Sequence, residues 1–330
     1  MSSPKHAMKS NASSTPSRAR RETRADAPIA ANTTSALGTE MPSEFHPDLD
    51  QYPVPALVDA FIDDQIHALI AVKAARQRIA AAVAAAVSRI AGGGRLVYVG
   101  AGTSGRLGIL DSVELYPTFS WPKDRALGLL AGGQQAMFES IEGAEDSLEQ
   151  GRLDVAAVNV DQRDVVILLA ASGATPYVMG ALEAARAAGA LTIGIANNPA
   201  APVTLGAEIA ITINTGSEVI AGSTRLKAGT SQKIVLNTLS SAIMVRLNKV
   251  YGNLMVDLQP SNAKLLRRAV SLTMRATGAN EDEARVALAA CNFQVKVAIV
   301  SILEKIGVDE AQARLAATQG NVRAALVKSR

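Results

Sequence analysis

Short apolar segments that end in glycine-rich turns alternate with helical segments through the middle of this chain. The segments that favour buried strands are residues 95–99, 127–130, 164–170, 191–195 and 208–213. Continuous apolar strands separated by helices are typical of a parallel sheet that is covered on both faces. We therefore predict an α/β fold with a parallel sheet and helices on both faces.

Helical patterns surround the predicted sheet and continue alone after it. The longer ones cover residues 54–90, 134–150 (with a break near Gly143), 177–188 and 226–250, and four shorter ones follow. The chain is thus predicted to have three parts: a disordered basic tail (1–36), an α/β domain with an N-terminal helical arm (37–250), and a helical subdomain (251–330).

The charge pattern argues against nucleic acid as a partner. Residues 1–35 carry six basic and two acidic side chains, so the net charge of +3 leaves the rest of the chain at −1. No apolar run approaches the ~18 residues of a membrane span, and no secretion signal is evident. We predict a cytoplasmic protein without a membrane partner. One cysteine and three separated histidines offer no metal-ligand spacing, so no metal or cofactor is expected.

The first candidate site is the turn after the first strand, Gly100-Ala-Gly-Thr-Ser-Gly-Arg106. Glycines let the backbone approach an anion, and free N–H groups at a helix start point towards it. We predict that Gly102, Thr103, Ser104 and Gly105 bind a phosphate group.

The same turn also fits the G-x-G-x-x-G pattern of dinucleotide-binding proteins. That interpretation requires an acidic residue at the end of the next strand, and Leu129-Leu-Ala-Gly-Gly133 contains none. A nicotinamide cofactor is therefore disfavoured, and a tight turn without a ligand is the other alternative.

A second hydroxyl-rich turn, Ala170-Ala-Ser-Gly-Ala-Thr-Pro176, follows the third strand. Ligands of open α/β sheets bind at the carboxyl ends of strands, and two such turns suit one phosphate monoester better than a dinucleotide. We predict that Ser172, Gly173 and Thr175 belong to the same site. Lys227, which begins a long helix, is a further candidate, but an ordinary solvated lysine fits the pattern equally well.

Two acidic residues, Glu114 and Glu145, lie near predicted helix ends, where solvated charges are common. Glu114 stands ten positions after Ser104, which is about 15 Å along a straight helix and longer than a hexose phosphate. Either this helix ends early, near Pro117, and the chain folds back, or Glu114 serves the site of a neighbouring subunit. We favour the second alternative, which predicts a symmetric homodimer.

Together these motifs resemble the N-acetylmuramic acid 6-phosphate etherases, a group within the sugar isomerase (SIS) family. The resemblance covers residues 92–325 and is carried by 100–110 (GAGTSGRLGIL), 141–147 (IEGAEDS), 170–178 (AASGATPYV), 222–233 (GSTRLKAGTSQK) and 249–257 (KVYGNLMVD). It implies a SIS-type, flavodoxin-like parallel sheet and a lyase that cleaves the D-lactyl ether of N-acetylmuramic acid 6-phosphate. The products would be N-acetylglucosamine 6-phosphate and D-lactate. By motif position, Glu145 matches the base of this group, Glu114 its proton donor, and Thr103, Ser104 and Ser172 its phosphate loops.

The chain departs from the group's pattern in four places. Its arm reads Thr39-Glu-Met-Pro-Ser43 without the usual asparagine, and its first helix has Ile62-Asp-Asp-Gln65 in place of Asn-Glu-Asp. Ala174 replaces a frequent arginine, and Glu114-Leu-Tyr-Pro117 replaces Glu-Cys-Pro-Pro. Both carboxylates survive, so etherase chemistry stays the favoured hypothesis. A sugar-phosphate-sensing regulatory protein, like the glucokinase regulatory proteins that share this fold, and an aldose–ketose isomerase are the alternatives.

Overall fold

Five parallel strands form the centre of the computed structural model, which describes residues 37–258, 260 and 262–326. The strands are β1 (Leu96–Gly100), β2 (Ala126–Leu130), β3 (Val165–Leu169), β4 (Leu191–Ala196) and β5 (Ile209–Thr212). Their order in the sheet is β2-β1-β3-β4-β5. The chain therefore leaves β1 in one direction to form β2 and returns to form β3 on the other side. In such sheets the ligand crevice lies at the carboxyl ends of the two strands where the order reverses, here β1 and β3.

Helices cover both faces of the sheet and make up the C-terminal part. Those in the described residues are α1 (Val54–Ala74), α2 (Arg76–Ala91), α3 (Gly102–Phe119), α4 (Leu148–Ala157), α5 (Pro176–Ala187), α6 (Pro202–Gly206), α7 (Lys227–Arg246), α8 (Ala263–Thr277), α9 (Glu281–Ala290), α10 (Val295–Glu304), α11 (Val308–Ala317) and α12 (Val322–Leu326).

Successive side chains of each strand point into different apolar layers, as the pleat of a strand requires. In β1, Leu96 and Tyr98 pack in the layer formed with α2, α3 and α7. Val97 and Val99 pack in the opposite layer, with α4 and α5. The predicted flavodoxin-like parallel sheet with helices on both faces is therefore confirmed.

A third apolar cluster lies within residues 251–326. The predicted subdomain boundary after residue 250 stays a prediction, and the predicted basic tail, 1–36, lies outside the described residues. No single helix of the described part is long and apolar enough to span a membrane. Only α9 and α10 taken together, with a bend of 116° between them, meet the length and composition of a span.

The structure corrects two helix predictions. The pattern over 54–90 is two helices, α1 and α2, which meet at Ala75. The helix predicted over 134–150 is wrong: two short 3₁₀ turns occupy residues 134–137 and 144–146, and α4 begins only at Leu148. Gly132, Gly133 and Gly143 adopt φ angles of +84°, +67° and +69°, which a right-handed helix does not allow.

Candidate active site

The first loop joins β1 directly to α3. Gly102 has a φ of +52°, and a Cβ placed on Gly105 would lie 2.5 Å from the carbonyl oxygen of Gly100. Only glycine permits this close approach of helix and strand. The first N–H groups of α3 have no acceptor within the helix and face the carboxyl edge of the sheet. Thr103 is half-buried and Ser104 is buried in this first turn.

The second loop follows β3 and leads into α5. Gly173 has a φ of +80°, and a Cβ there would lie 2.2 Å from Cβ of Ala201. The Ser172 hydroxyl oxygen accepts a hydrogen bond from the N–H of Ala174, at 3.3 Å. Its own proton therefore remains available to a ligand. Thr175 precedes Pro176, and its hydroxyl makes no capping bond to α5.

The two loops lie side by side, because β1 and β3 are paired in the sheet from Leu96 and Val165 to Gly100 and Leu169. The start of α7 completes the same edge: a Cβ on Gly229 would lie 3.4 Å both from Cγ2 of Thr103 and from the carbonyl oxygen of Thr224. The predicted phosphate residues of the two loops therefore occupy one edge of the sheet, at its switch point.

Lys227 is the first residue of α7, one position after the predicted helix start, and its side chain has protein partners. The ammonium donates to Oδ1 of Asp64 at 2.7 Å and to the carbonyl oxygen of Ser217 at 2.6 Å, and the residue is 3% exposed. Its assignment as a phosphate ligand stays a prediction. The contact also places Asp64, one of the departures from the etherase pattern, beside the start of α7.

Glu218, which lies beside the start of α7, was not identified from the sequence. Its fully buried carboxylate accepts hydrogen bonds from the N–H groups of Lys227, at 2.9 Å, and Ala228, at 2.8 Å. Burial raises the pKa of this carboxyl, although the two donated hydrogen bonds favour its ionised form. Glu218 thus fixes the first turn of α7 against the loop that precedes it.

Asn197 and Asn198 follow β4 and were also missed, although two asparagines directly after a buried strand are a usable signal. Asn197 donates to Oγ of Ser231 at 2.8 Å and accepts from Gln232 at 2.9 Å, so it binds the sheet edge to α7. Asn198 donates to the carbonyl oxygen of Ala171 at 3.0 Å, next to Ser172. These bonds hold the loops in their positions.

Glu114 lies on an uninterrupted helix. α3 continues through Pro117 to Phe119, so the alternative in which the helix ends early and folds back is excluded. Glu114 is exposed, and large apolar side chains that are also exposed surround it along α3: Leu110 (46%), Val113 (57%) and Tyr116 (41%). Within the described part of the chain, its carboxylate has no hydrogen-bond or ion-pair partner.

Glu145 is exposed on the 3₁₀ turn that precedes α4. Its neighbour Ala144 packs against the apolar layer that includes Tyr177 and Val178 of α5, so the turn lies alongside the helix that follows the second loop. Ser147 then caps α4 by accepting from the N–H of Gln150 at 3.1 Å. The predicted catalytic roles of Glu145 and Glu114 stay predictions.

Two protein-family models match the chain: the SIS domain over residues 147–242 and the glucokinase regulatory protein N-terminal SIS domain over residues 78–186. The fold and the paired loops thus define a protein of the SIS class. Among solved structures, a phosphoheptose isomerase from Francisella tularensis is similar, with a TM-score of 0.46 and 18% identity, and covers 59% of this chain and 100% of that chain.

Similar proteins with curated names show to which family within the SIS class the chain belongs. The N-acetylmuramic acid 6-phosphate etherase of Deinococcus radiodurans is 54% identical over 293 residues, 89% of this chain and 96% of the relative. The etherase of Rubrobacter xylanophilus is 48% identical over 294 residues, 89% of this chain and 97% of the relative. The chain belongs to the N-acetylmuramic acid 6-phosphate etherase family, which confirms the resemblance predicted from its motifs.

Proposed function

We propose that this protein is an N-acetylmuramic acid 6-phosphate etherase. It cleaves the D-lactyl ether at C3 of its substrate and releases N-acetylglucosamine 6-phosphate and D-lactate, a step in the recycling of cell-wall amino sugars. The observation that carries the proposal is the pair of hydroxyl-bearing loops at the ends of the adjacent strands β1 and β3, in a chain 54% identical to a relative of that name.

The two loops provide the hydrogen-bond donors that the substrate phosphate requires. The N–H groups at the start of α3 and the hydroxyls of Thr103, Ser104 and Ser172 are donors, and a phosphate dianion offers only acceptors. Gly102, Gly105 and Gly173 allow the backbone to come close, and Thr175 begins the adjoining helix. A substrate phosphate held here places the sugar ring over the carboxyl edge of the sheet.

Elimination breaks the bond between C3 and the lactyl oxygen, and water then supplies a new hydroxyl at C3. Opening of the sugar ring exposes an aldehyde at C1, which acidifies the proton on C2. Glu145 removes this proton, and the electron pair forms a C2–C3 double bond as the lactyl oxygen leaves C3. Glu114 protonates the departing oxygen to give D-lactate. Water then adds across the double bond, with its hydroxyl on C3 and a proton returned to C2. A positioned base or acid typically contributes 10² to 10⁴ in rate.

A homodimer explains how Glu114 can act although it lies far from the phosphate loop of its own subunit. Because α3 is unbroken, Glu114 lies about 15 Å along the helix from Ser104. The exposed apolar side chains around it, Val113 above all, suit a surface that a second copy covers. Glu114 then completes the site of the neighbouring subunit. A sugar phosphate is a dianion that does not cross a bilayer unaided, which supports a cytoplasmic location.

Release of D-lactate from N-acetylmuramic acid 6-phosphate tests the activity, and Glu114→Gln and Glu145→Gln should each abolish it. Co-expression of the two variants tests the shared site. A heterodimer would hold one site with both native carboxylates, so about a quarter of the wild-type activity should return. No recovery would place both carboxylates in one subunit.

A regulatory SIS protein is the second candidate, favoured by the match of residues 78–186 to the glucokinase regulatory protein domain. Such a protein would be stabilised against heat by the sugar phosphate without consuming it. Thermal stabilisation with no D-lactate formed would therefore replace the etherase proposal.

A further inference from the structure

The N-terminal arm is anchored at the carboxyl edge of the sheet by Thr39. The N–H of Thr39 donates to Oδ1 of Asn198 at 3.3 Å, and the Asn198 amide donates back to the Thr39 hydroxyl at 3.0 Å. The N–H of Gly222 donates to the Thr39 carbonyl oxygen at 3.0 Å. Thr39 is fully buried, so these bonds fix the position of the next residue, Glu40.

The side chain of Glu40 is directed towards Gly222. Its Oε2 atom would lie 2.9 Å from a Cβ on Gly222, which itself adopts a φ of +75°. Glu40 is exposed, and among the residues that the structure describes no hydrogen bond or ion pair engages its carboxylate. An acceptor on an anchored segment of backbone that has no protein donor is available to a ligand.

Contacts connect Glu40 to both phosphate loops. On one side, Asn198 also donates to the carbonyl oxygen of Ala171 at 3.0 Å, directly before Ser172. On the other side, Thr224 lies two residues after Gly222, and its carbonyl oxygen and Cγ2 of Thr103 both lie 3.4 Å from the Cβ position of Gly229. The arm therefore lies over the edge at which the loops meet.

A carboxylate at this edge cannot be a phosphate ligand, because like charges repel. It can accept hydrogen bonds, and the hydroxyl groups of a hexose are donors. We propose that Glu40 binds hydroxyl groups of the sugar ring, a proposal that rests on the proposed function. The arm then acts on the part of the substrate that a phosphate site alone cannot distinguish.

Glu40→Gln and Glu40→Ala test this assignment, with Glu44→Gln as the matched control, since Glu44 is an exposed glutamate on the same arm. Loss of a hydrogen bond to a charged acceptor should raise KM for N-acetylmuramic acid 6-phosphate about tenfold to a hundredfold in Glu40→Ala. Inhibition by inorganic phosphate should stay unchanged or strengthen, because one nearby negative charge has gone. Glu44→Gln should match the wild type in both measurements.

The possible outcomes distinguish a failure of the role of Glu40 from a failure of the proposed etherase function. A wild-type protein that releases no D-lactate overturns the proposed function. A wild-type protein that is active, beside a Glu40→Ala variant with unchanged KM, overturns only the role of Glu40. A lower melting temperature with unchanged KM, or equal losses of affinity for phosphate and sugar phosphate, assigns Glu40 to the structure of the arm and also overturns its role. Calorimetric titration with N-acetylglucosamine 6-phosphate provides a second affinity that does not depend on turnover.

Discussion

The ammonium of Lys227 lies 2.7 Å from Oδ1 of Asp64, which joins the start of α7 to the middle of α1. A buried charge that loses its partner is strongly destabilising. We expect Asp64→Asn to lower the free energy of unfolding by about 3 kcal/mol, measured by urea denaturation. Asp63→Asn, at the exposed neighbouring position, should change it by less than about 1 kcal/mol.

The same pair tests the predicted phosphate role of Lys227. Lys227→Met removes the charge and keeps most of the side-chain volume. If the ammonium also binds phosphate, KM for the sugar phosphate should rise about tenfold in this variant, whereas a folded Asp64→Asn variant should keep its KM. A Lys227→Met enzyme with wild-type KM would restrict Lys227 to holding α7 and α1 together.

Gly105 and Gly102 offer a matched pair of substitutions in the first loop. Alanine at Gly105 would collide with the backbone of Gly100, whereas alanine at Gly102 meets open space and suffers only from the positive φ. We expect Gly102→Ala to cost about 1 kcal/mol in unfolding free energy and Gly105→Ala at least twice that, with loss of phosphate affinity. Thermal unfolding and phosphate titration of both variants check this order, and equal costs would contradict the close packing of α3 on β1.

The ion pair between Arg95 and Asp164 should make the stability of the fold sensitive to acid. Burial raises the pKa of Asp164, but hydrogen bonds from Arg95 and from the N–H of Asp161 outweigh burial and lower it overall. A lowered pKa in the folded state means that the ionised carboxylate stabilises the fold above about pH 4, and that this contribution is lost as the pH falls further. Asp164→Asn should cost about 3 kcal/mol at pH 7.

Urea denaturation at pH 7 and pH 3 measures this difference. The gap between the wild type and Asp164→Asn should narrow at the lower pH, because Asp164 of the unfolded wild-type chain is then largely protonated, and this favours unfolding. A gap of the same size at both pH values would show that the charge of Asp164 does not matter.

The hydroxyls of Ser104 and Ser172 should act on the same ligand. Ser104→Ala and Ser172→Ala are each expected to weaken inhibition by inorganic phosphate about fivefold to tenfold, the value of one hydrogen bond. Ser88→Ala, at an exposed hydroxyl on α2, is the control and should leave inhibition unchanged. An effect of Ser104→Ala without an effect of Ser172→Ala would leave the second loop outside the phosphate site.

The sheet and the two loops could be predicted because their signals are local. Continuous apolar runs identified β1 and β3, and the glycine and hydroxyl residues after them identified the phosphate loops. The segment 134–150 was wrongly predicted as helical on both sides of a break at Gly143. Its residues have moderate helix propensity, but they form only short 3₁₀ turns before α4 begins at Leu148.

The contacts that assemble the site were beyond prediction for a different reason. Asn198 binds Thr39 across 159 positions, and Lys227 binds Asp64 across 163. Such pairs are specified by the tertiary fold and leave no periodic signal in the sequence. Glu218 was missed for the same reason, since its importance depends on complete burial against the start of α7.

Because α3 is one unbroken helix, it would connect the two sites of a dimer. Ser104 lies in the first turn of this helix and Glu114 in its second half. Between them, Asp111 accepts hydrogen bonds from Tyr98 at 2.8 Å and from Asn237 at 2.7 Å. With a shared site, α3 of one subunit carries a phosphate contact for its own site and the proton donor for the site of the other subunit. In such a dimer, a substitution that displaces α3 would disturb two sites at once, through the phosphate contact in its own subunit and the acid in its neighbour.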